Sequence, residues 1–356
     1  MGFLGEKRMS SIPICLASDN CVPAHPLIVQ SVVEANQGSA PSYGADQWTQ
    51  KAEQVIQKVF KTDCKVCIVP SGTGSNVLAL KIACQRHESI ICTDIAHIHY
   101  QESGAVESIV GCKLLTIPHS NGKVTPEGIE KKLKRERSCG KHGTCPRVLS
   151  ITQPTEVGTV YSVEELKEIA NVCKENDLLL HMDGSRLYHA AVRLHVGLDE
   201  IVTASHLDLL SLGGTKNGLM SAESLLIFNP NLYAGSDHLQ KQTLQLVSKQ
   251  RYLSAQYHPF FQGGLWRSLA KQANQKAQEI AALIEETPSL ALSYPVETNQ
   301  IFFTAPAPWI PLIQGHIFCY VWNEEKNQIR WITSWNTSEE DVKNVKRALA
   351  EVSQYA

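Results

Sequence analysis

From about residue 66 onward, short apolar runs rich in branched side chains alternate with longer stretches of helical period. The runs are Val66 to Pro70, Ser89 to Thr93, Cys112 to Ile117, Arg147 to Thr152, Leu178 to Asp183 and Leu207 to Leu212. This alternation predicts an α/β domain on a largely parallel sheet. Helix starts agree with it: Thr125-Pro126 puts proline at a first helical position, and Ser162 with Glu165 forms a capping box before an amphipathic run ending near Asn176. After Phe228 the pattern becomes long polar helices, roughly Tyr233 to Leu253 and Trp266 to Glu286. Candidate strands Asn299 to Thr304, His316 to Trp322 and Gln328 to Thr333, and a last helix after Ser338 with Asp341 in the box position, complete a smaller α+β domain. The expected organisation is an irregular arm over 1–30 that reaches a neighbouring subunit, a large domain over 31–265 and a small domain over 266–356.

Composition narrows the function classes. The 356 residues are 43% hydrophobic and 19% charged, which is globular rather than disordered. A formal charge of -2 lacks the electrostatic footprint of a general nucleic-acid binder, so the expected ligand is a small molecule. No run reaches the roughly 18 apolar residues of a membrane span, and Ile301 to Ile313 is shorter and carries three prolines. Met1 to Ser18 holds only a brief apolar patch, Ile12 to Ala17, and reads as no export signal. Eleven cysteines follow no disulfide framework. Cys64-Lys-Val-Cys67 lacks a second pair at zinc spacing and lies in a strand-like run, while Cys139 and Cys145 fall in a basic loop. Reduced thiols in a cytoplasm, with no metal, are the simplest account.

In an open parallel sheet, ligands bind beyond the carboxyl ends of strands. After Ile68-Val-Pro comes Ser71-Gly-Thr-Gly-Ser-Asn76 and then an apolar helix, a small-residue turn whose backbone N–H groups can cradle a phosphate or simply close a tight turn. A dinucleotide fingerprint fails because Val77 stands where the third glycine belongs, and no Gly-Lys-Ser/Thr completes a P-loop. Asp183 ends the strand Leu178 to Met182, where a carboxylate binds a ring nitrogen or caps the next helix, and Arg186 follows one turn on. Gly213-Gly-Thr-Lys216-Asn-Gly holds a lysine in a glycine-rich turn. Phosphate cradle, strand-end Asp and turn-borne Lys occur in the order and type that pyridoxal 5'-phosphate (PLP) requires: one holds the phosphate, one pairs with the protonated pyridine nitrogen, one forms the Schiff base.

The runs Ser18-Asp-Asn20, Ser42-Tyr-Gly44, Pro70 to Asn76, Ala96-His97, Ser150 to Tyr161, His181 to Arg186, Gly214 to Gly218 and Arg251 to Gln256 resemble the low-specificity threonine aldolases of the β-eliminating lyase group, in order over nearly the whole chain. The resemblance implies an aspartate-aminotransferase-like, fold-type I PLP enzyme, commonly a homotetramer built as a dimer of dimers, that cleaves β-hydroxy-α-amino acids to glycine and an aldehyde. It gives Lys216 the Schiff-base role, Asp183 the pyridinium partner and Arg186 a place beside the cofactor's phenolic oxygen and the substrate. Gly72 and Thr73 match the phosphate turn, with Ser71 and Asn76 as further candidates. His97 matches the histidine that stacks on the ring and takes part in proton transfer from the β-hydroxyl. Arg330 matches the small-domain arginine for the substrate carboxylate, for which a two-donor fork is suited, and Ser18 would help it. Glu102 would relay or orient protons, or serve only as a helix carboxylate.

Two segments depart from that pattern. Gln153-Pro-Thr-Glu156 lacks the second histidine of some members, and Gln240 to Leu246 lacks the expected arginine, glycine and histidine, which puts phosphate contacts or subunit packing there in question. The remaining alternatives are another PLP reaction such as transamination or β-elimination, a catalytically silent PLP-binding protein, and a nicotinamide dehydrogenase.

Overall fold

The computed structural model describes residues 14–355. The reading of Met1 to Ser18 as lacking an export signal, and the first part of the arm, therefore lie mostly outside the described residues. Seven strands form the large sheet: β1 (Lys65–Val69), β2 (Glu88–Thr93), β3 (Lys113–Ile117), β4 (Cys145–Thr152), β5 (Leu179–Gly184), β6 (Leu209–Leu212) and β7 (Glu223–Ile227). Their order is β1-β7-β6-β5-β4-β2-β3, with every pair parallel except those made by β7. Six of these strands fall where the apolar runs predict them. The antiparallel β7 has no run of its own in the sequence reading.

Helices cover both faces. One apolar cluster gathers Ile56, Ile91, Leu149, Leu180 and Leu210, and another gathers Val69, Leu78, Ile90, Val148 and Leu225. Successive residues of one strand thus go to opposite clusters, Ile90 to one and Ile91 to the other, which is why these strands read as unbroken apolar runs. Thr125 caps Pro126–Ser138, and the Ser162–Glu165 box opens Val163–Glu175, both where the sequence places them.

The small domain holds β8 (Ala291–Leu292), β9 (Gln300–Thr304), β10 (Tyr320–Asn323) and β11 (Gln328–Ile332), all antiparallel, in the order β10-β11-β9-β8. The helix Leu265–Glu285 serves both domains: Trp266, Leu269 and Ala270 pack into the large core, and Ala277, Ile280 and Ile284 into the small one. Ser338 and Asp341 form the capping box of the last helix, Glu339–Val352.

Three expectations change. The helix expected over Tyr233 to Leu253 is broken into Ser236–Gln242, Arg251–Ser254 and, beyond it, Tyr257–Phe261. The first piece ends in a Schellman turn, with Leu244 N–H on Lys241 O and Gln245 N–H on Gln240 O, and Leu244 at φ 65 where glycine is usual. The strand expected over His316 to Trp322 starts only at Tyr320, because Trp309–His316 is helical after Pro308. The arm is partly regular: Pro26–Ala35 is a helix, and Leu16 and Ile14 exchange backbone bonds with Phe318 while Ile332 N–H reaches Leu16 O. The arm's backbone thus borders the small domain at Ile14 to Leu16, through an isolated bridge of Cys15 to Phe318.

Candidate active site

Strand direction decides where the polar residues meet. β1, β2, β4, β5 and β6 all end at one edge of the large sheet, and β7, running the other way, begins there. Along that edge lies a cavity of about 270 Å³ bordered by Ser71, Gly72, Thr73, Asn76, His97 and Lys216. A wider surface groove of about 1180 Å³ lies between the helices around Trp48, Lys58 and Arg267, away from these groups.

The small-residue turn follows β1. Ser71 caps Gly72–Ala83, its Oγ accepting the Gly74 N–H at 3.1 Å and keeping its own proton for another acceptor. Gly72 and Thr73 stand in the first helical turn, where N–H groups have no intrahelical acceptor and the helix dipole favours an anion.

Asp183, at the end of β5, is buried. Its Oδ1 accepts from Ser185 N–H at 2.9 Å and Ser185 Oγ at 2.7 Å, and its Oδ2 from Asn76 Nδ2 at 2.9 Å. Burial works to raise this carboxyl, but the charges of His97 and Lys216 and these hydrogen bonds outweigh it and hold Asp183 below its ordinary range. A carboxylate has about four acceptor positions, so one remains for a ring N–H. Asn76, expected at the phosphate turn, directs its amide elsewhere: Nδ2 bridges Asp183 and Glu102 Oε1, both at 2.9 Å.

His97 begins a short helix after β2. Its Nδ1 pairs with buried Glu102 at 2.7 Å, which places the proton on Nδ1 and leaves Nε2 as a base. Glu102 is therefore an orienting group for His97. The backbone N–H of His97 donates to Glu156 Oε1 at 2.9 Å, and Thr152 Oγ1 donates to the same oxygen at 2.7 Å. Burial, helped by the charge of Asp183, pushes the Glu156 carboxyl up to about 7.

Lys216 sits in a turn that only glycines permit. A Cβ on Gly213 would lie 2.3 Å from Ser185 O, and one on Gly214 would lie 2.4 Å from Ala222 O. Burial, then the nearby Arg186 guanidinium, lower the proton affinity of the Lys216 amine.

Arg186 is clamped by Asp19, with Nε to Oδ2 at 2.6 Å and Nη2 to Oδ1 at 2.9 Å. Asn299 Nδ2 holds the same Asp19 at 3.1 Å. Ser18, whose Oγ accepts Asn20 N–H, is the next residue. Arg330 lies 4.7 Å over the Trp322 ring, and its Nη2 donates to Ala17 O at 3.3 Å. Its Nε is buried with no partner among the described residues, and burial followed by the like charge of Arg186 brings the guanidinium down to about 10. Two neighbouring guanidiniums with a free buried donor suit a carboxylate.

Of the eleven residues singled out in the sequence, nine lie along this edge, and Ser18 and Arg330 are brought to it by the arm through Asp19 on Arg186 and Ala17 under Arg330. The chemistry of the donor set fits PLP: a first-turn phosphate cradle, a buried carboxylate with a spare acceptor position, and an amine with lowered proton affinity. Sequence reasoning missed the parts played by Asp19, Glu156 and Glu223. Asp19 and Glu156 stand inside runs already noted, without a role, whereas nothing local marks Glu223.

Residues 16–307 match the family model described as Beta-eliminating lyase. A low specificity L-threonine aldolase of Pseudomonas sp. is 39% identical over 92% of this chain and 95% of its own length. Its counterpart in Saccharomyces cerevisiae is 28% identical over 82% of this chain and 74% of its own length. Among solved structures, the threonine aldolase of Leishmania major superposes with a TM-score of 0.91 at 29% identity, covering 96% of this chain and all of that one. Membership follows from these matches together with the geometry above: the chain belongs to the β-eliminating lyase family, in its threonine aldolase group.

Proposed function

We propose that this chain is a PLP-dependent aldehyde-lyase that cleaves the Cα–Cβ bond of threonine, allo-threonine and related β-hydroxy-α-amino acids to glycine and an aldehyde. The observation that carries this reading is one cavity bordered by Lys216, the Ser71–Thr73 turn and His97, with Asp183 tied to its wall through Asn76. Lys216 would hold the cofactor aldehyde, Ser71, Gly72 and Thr73 its phosphate, and Asp183 its ring nitrogen. Bound there, PLP supplies an electron sink for the charge left on the α-carbon when the bond breaks.

The protein's own groups do the rest. Arg330 and Ser18, with Arg186 beside them, fix the substrate carboxylate, so that orientation selects which bond at the α-carbon is broken. His97 Nε2 takes the proton of the β-hydroxyl, directly or through water, while Glu102 on Nδ1 holds the ring and stabilises its charged form. Asp183, held below its ordinary range by its neighbours, would pair with the protonated ring nitrogen of the cofactor.

The test is an absorption spectrum of the purified protein, followed by borohydride treatment and mass spectrometry. The wild type should fix cofactor covalently on Lys216 and release glycine from threonine. A Lys216→Ala protein that still yields borohydride-fixed cofactor would overturn the lysine assignment.

The finer reading is a homotetramer in the cytoplasm. Apolar side chains left open at Val33 (64% exposed) and Leu244 (83% exposed) support burial against other subunits, and free thiols throughout the described chain fit a reducing compartment. Among the described residues, no helix is long and apolar enough to cross a membrane.

A further inference from the structure

Glu223 is the first residue of β7, and the reversed direction of that strand brings a carboxylate to the edge where the other strands end. Its register opposite Val69 sets it beside the phosphate turn on one side, while Leu212 of β6 pairs with the adjacent Ser224 on the other. Glu223 is 7% exposed and borders the same cavity as Lys216. Its two oxygens are divided between consecutive backbone donors: Oε2 accepts Gly214 N–H at 2.9 Å and Oε1 accepts Thr215 N–H at 3.2 Å. These are the two residues immediately before Lys216.

The same turn is pressed against β7 at Gly214, where a Cβ would meet Ala222 O at 2.4 Å. A buried carboxylate is costly unless it is bonded and charge-compensated. Here two N–H groups and the Lys216 amine offer that compensation. Burial pushes the Glu223 carboxyl up, while Thr215, Lys216 and Gly214 pull it back.

We propose that Glu223 is a positioning residue for Lys216, its carboxylate bracing the turn through the Gly214 and Thr215 amides and placing a negative charge on the cavity wall that Lys216 shares. The inference rests on the reading that Lys216 carries the cofactor. Besides Glu223, the charges bearing on Lys216 are Arg186, Asp19 and Asp183, and the titratable groups turned toward Glu223 also include Tyr188 and Tyr257. The carboxylates favour the ammonium and Arg186 opposes it, so removing Glu223's charge makes the amine lose its proton at lower pH.

Two measurements on the full-length protein test this. In the first, the chain is freed of cofactor by dialysis against hydroxylamine, and acylation of Lys216 by acetic anhydride is followed across pH by peptide mass spectrometry. Only the unprotonated amine reacts. Glu223→Gln should move the midpoint down by a fraction of a pH unit, since Glu223 is the weakest of the charges acting on Lys216, where loss of a close pair would give about one pH unit or more. Glu223→Asp keeps the charge but is too short for both amides, so its midpoint should stay near wild type.

In the second, hydrogen exchange at Gly214 and Thr215 should speed up by about tenfold in either variant, as expected for one lost backbone bond. An unchanged Glu223→Gln midpoint overturns the electrostatic part, and unchanged exchange in both variants overturns the brace. If Glu223→Gln does not fold, unaltered exchange in Glu223→Asp is enough to sink the proposal. A Lys216→Ala protein that keeps borohydride-fixed cofactor would instead refute the cofactor reading, and the labelling result would still stand by itself.

Discussion

The two ends of the site are built in different ways. At the chemical end, Asp183 at the end of β5, Asn76 in the helix Gly72–Ala83, and His97 and Glu102 beyond β2 all belong to the large domain and are joined by hydrogen bonds of 2.7 to 2.9 Å. At the recognition end, Asp19 meets Arg186 across 167 residues of sequence and Asn299 across 280, and Arg330 reaches Ala17 across 313. The first network lies wholly within the large domain. The second exists only when the arm lies between both domains. The proposed catalytic groups therefore sit at or near strand ends, while the proposed carboxylate receptor depends on how the domains and the arm are packed.

The largest effect that separates the two ends comes from His97→Phe. Phenylalanine keeps an aromatic ring beside the cavity but removes the Nε2 base, and loss of a general base lowers kcat by about 10²- to 10⁴-fold. KM for threonine should change little, because the Arg330 end is untouched. Steady-state kinetics decide it: a large rise in KM with kcat retained would mean that His97 belongs to binding and that the division between the ends is false.

Asp19→Ala tests the other end. Asp19 is fully buried, and its loss leaves the Arg186 charge uncompensated, a change that costs about 3–5 kcal/mol in comparable buried pairs. Urea unfolding should show that loss, and the surviving folded protein should have a raised KM, since Arg186 and the neighbouring Ser18 lose their anchor. A variant as stable as wild type with an unchanged KM would show that the arm is not what holds the recognition end together.

The same contrast explains what could be read from the sequence. Groups at the chemical end stand after apolar runs, so Ser71 to Thr73, Asp183 and Lys216 were legible from period and position, whereas His97, though it follows β2, took its role only from the family resemblance. Arg330 and Ser18 were visible only through the family resemblance, because nothing local says that residue 330 lies near residue 17. Glu223 was missed for a topological reason: without knowing that β7 runs backwards, its first residue looks like the start of an ordinary buried strand. The helix expected through Leu244 failed because the signal that ends it is normally a glycine, and here a leucine takes the left-handed conformation. A strained, 83% exposed leucine inside the segment that lacks the expected arginine, glycine and histidine points to a local constraint that a one-dimensional pattern does not carry.

The smallest expected effect belongs to Glu156, which joins the chemical end from below. Its Oε1 holds both the His97 N–H and the Thr152 hydroxyl, and around it lie Asp183, Cys92, Tyr161 and His97. With burial placing its carboxyl at about 7, Glu156 is ionised above neutrality and protonated below it. An ionised oxygen is the stronger acceptor, so the start of the His97 helix is held most firmly at higher pH. As pH falls through about 7, that hold weakens and kcat/KM should decline by a few fold, roughly the worth of one charge-assisted bond becoming neutral.

Glu156→Gln keeps a carbonyl acceptor for His97 but cannot titrate. Its kcat/KM should lie near the wild-type low-pH level and lose the step near neutrality, whereas a purely structural contact would lower activity equally at every pH. If the step persists at the same midpoint in Glu156→Gln, another group carries it, and the chemical end would then be independent of the β4 loop and more self-contained than its hydrogen bonds imply.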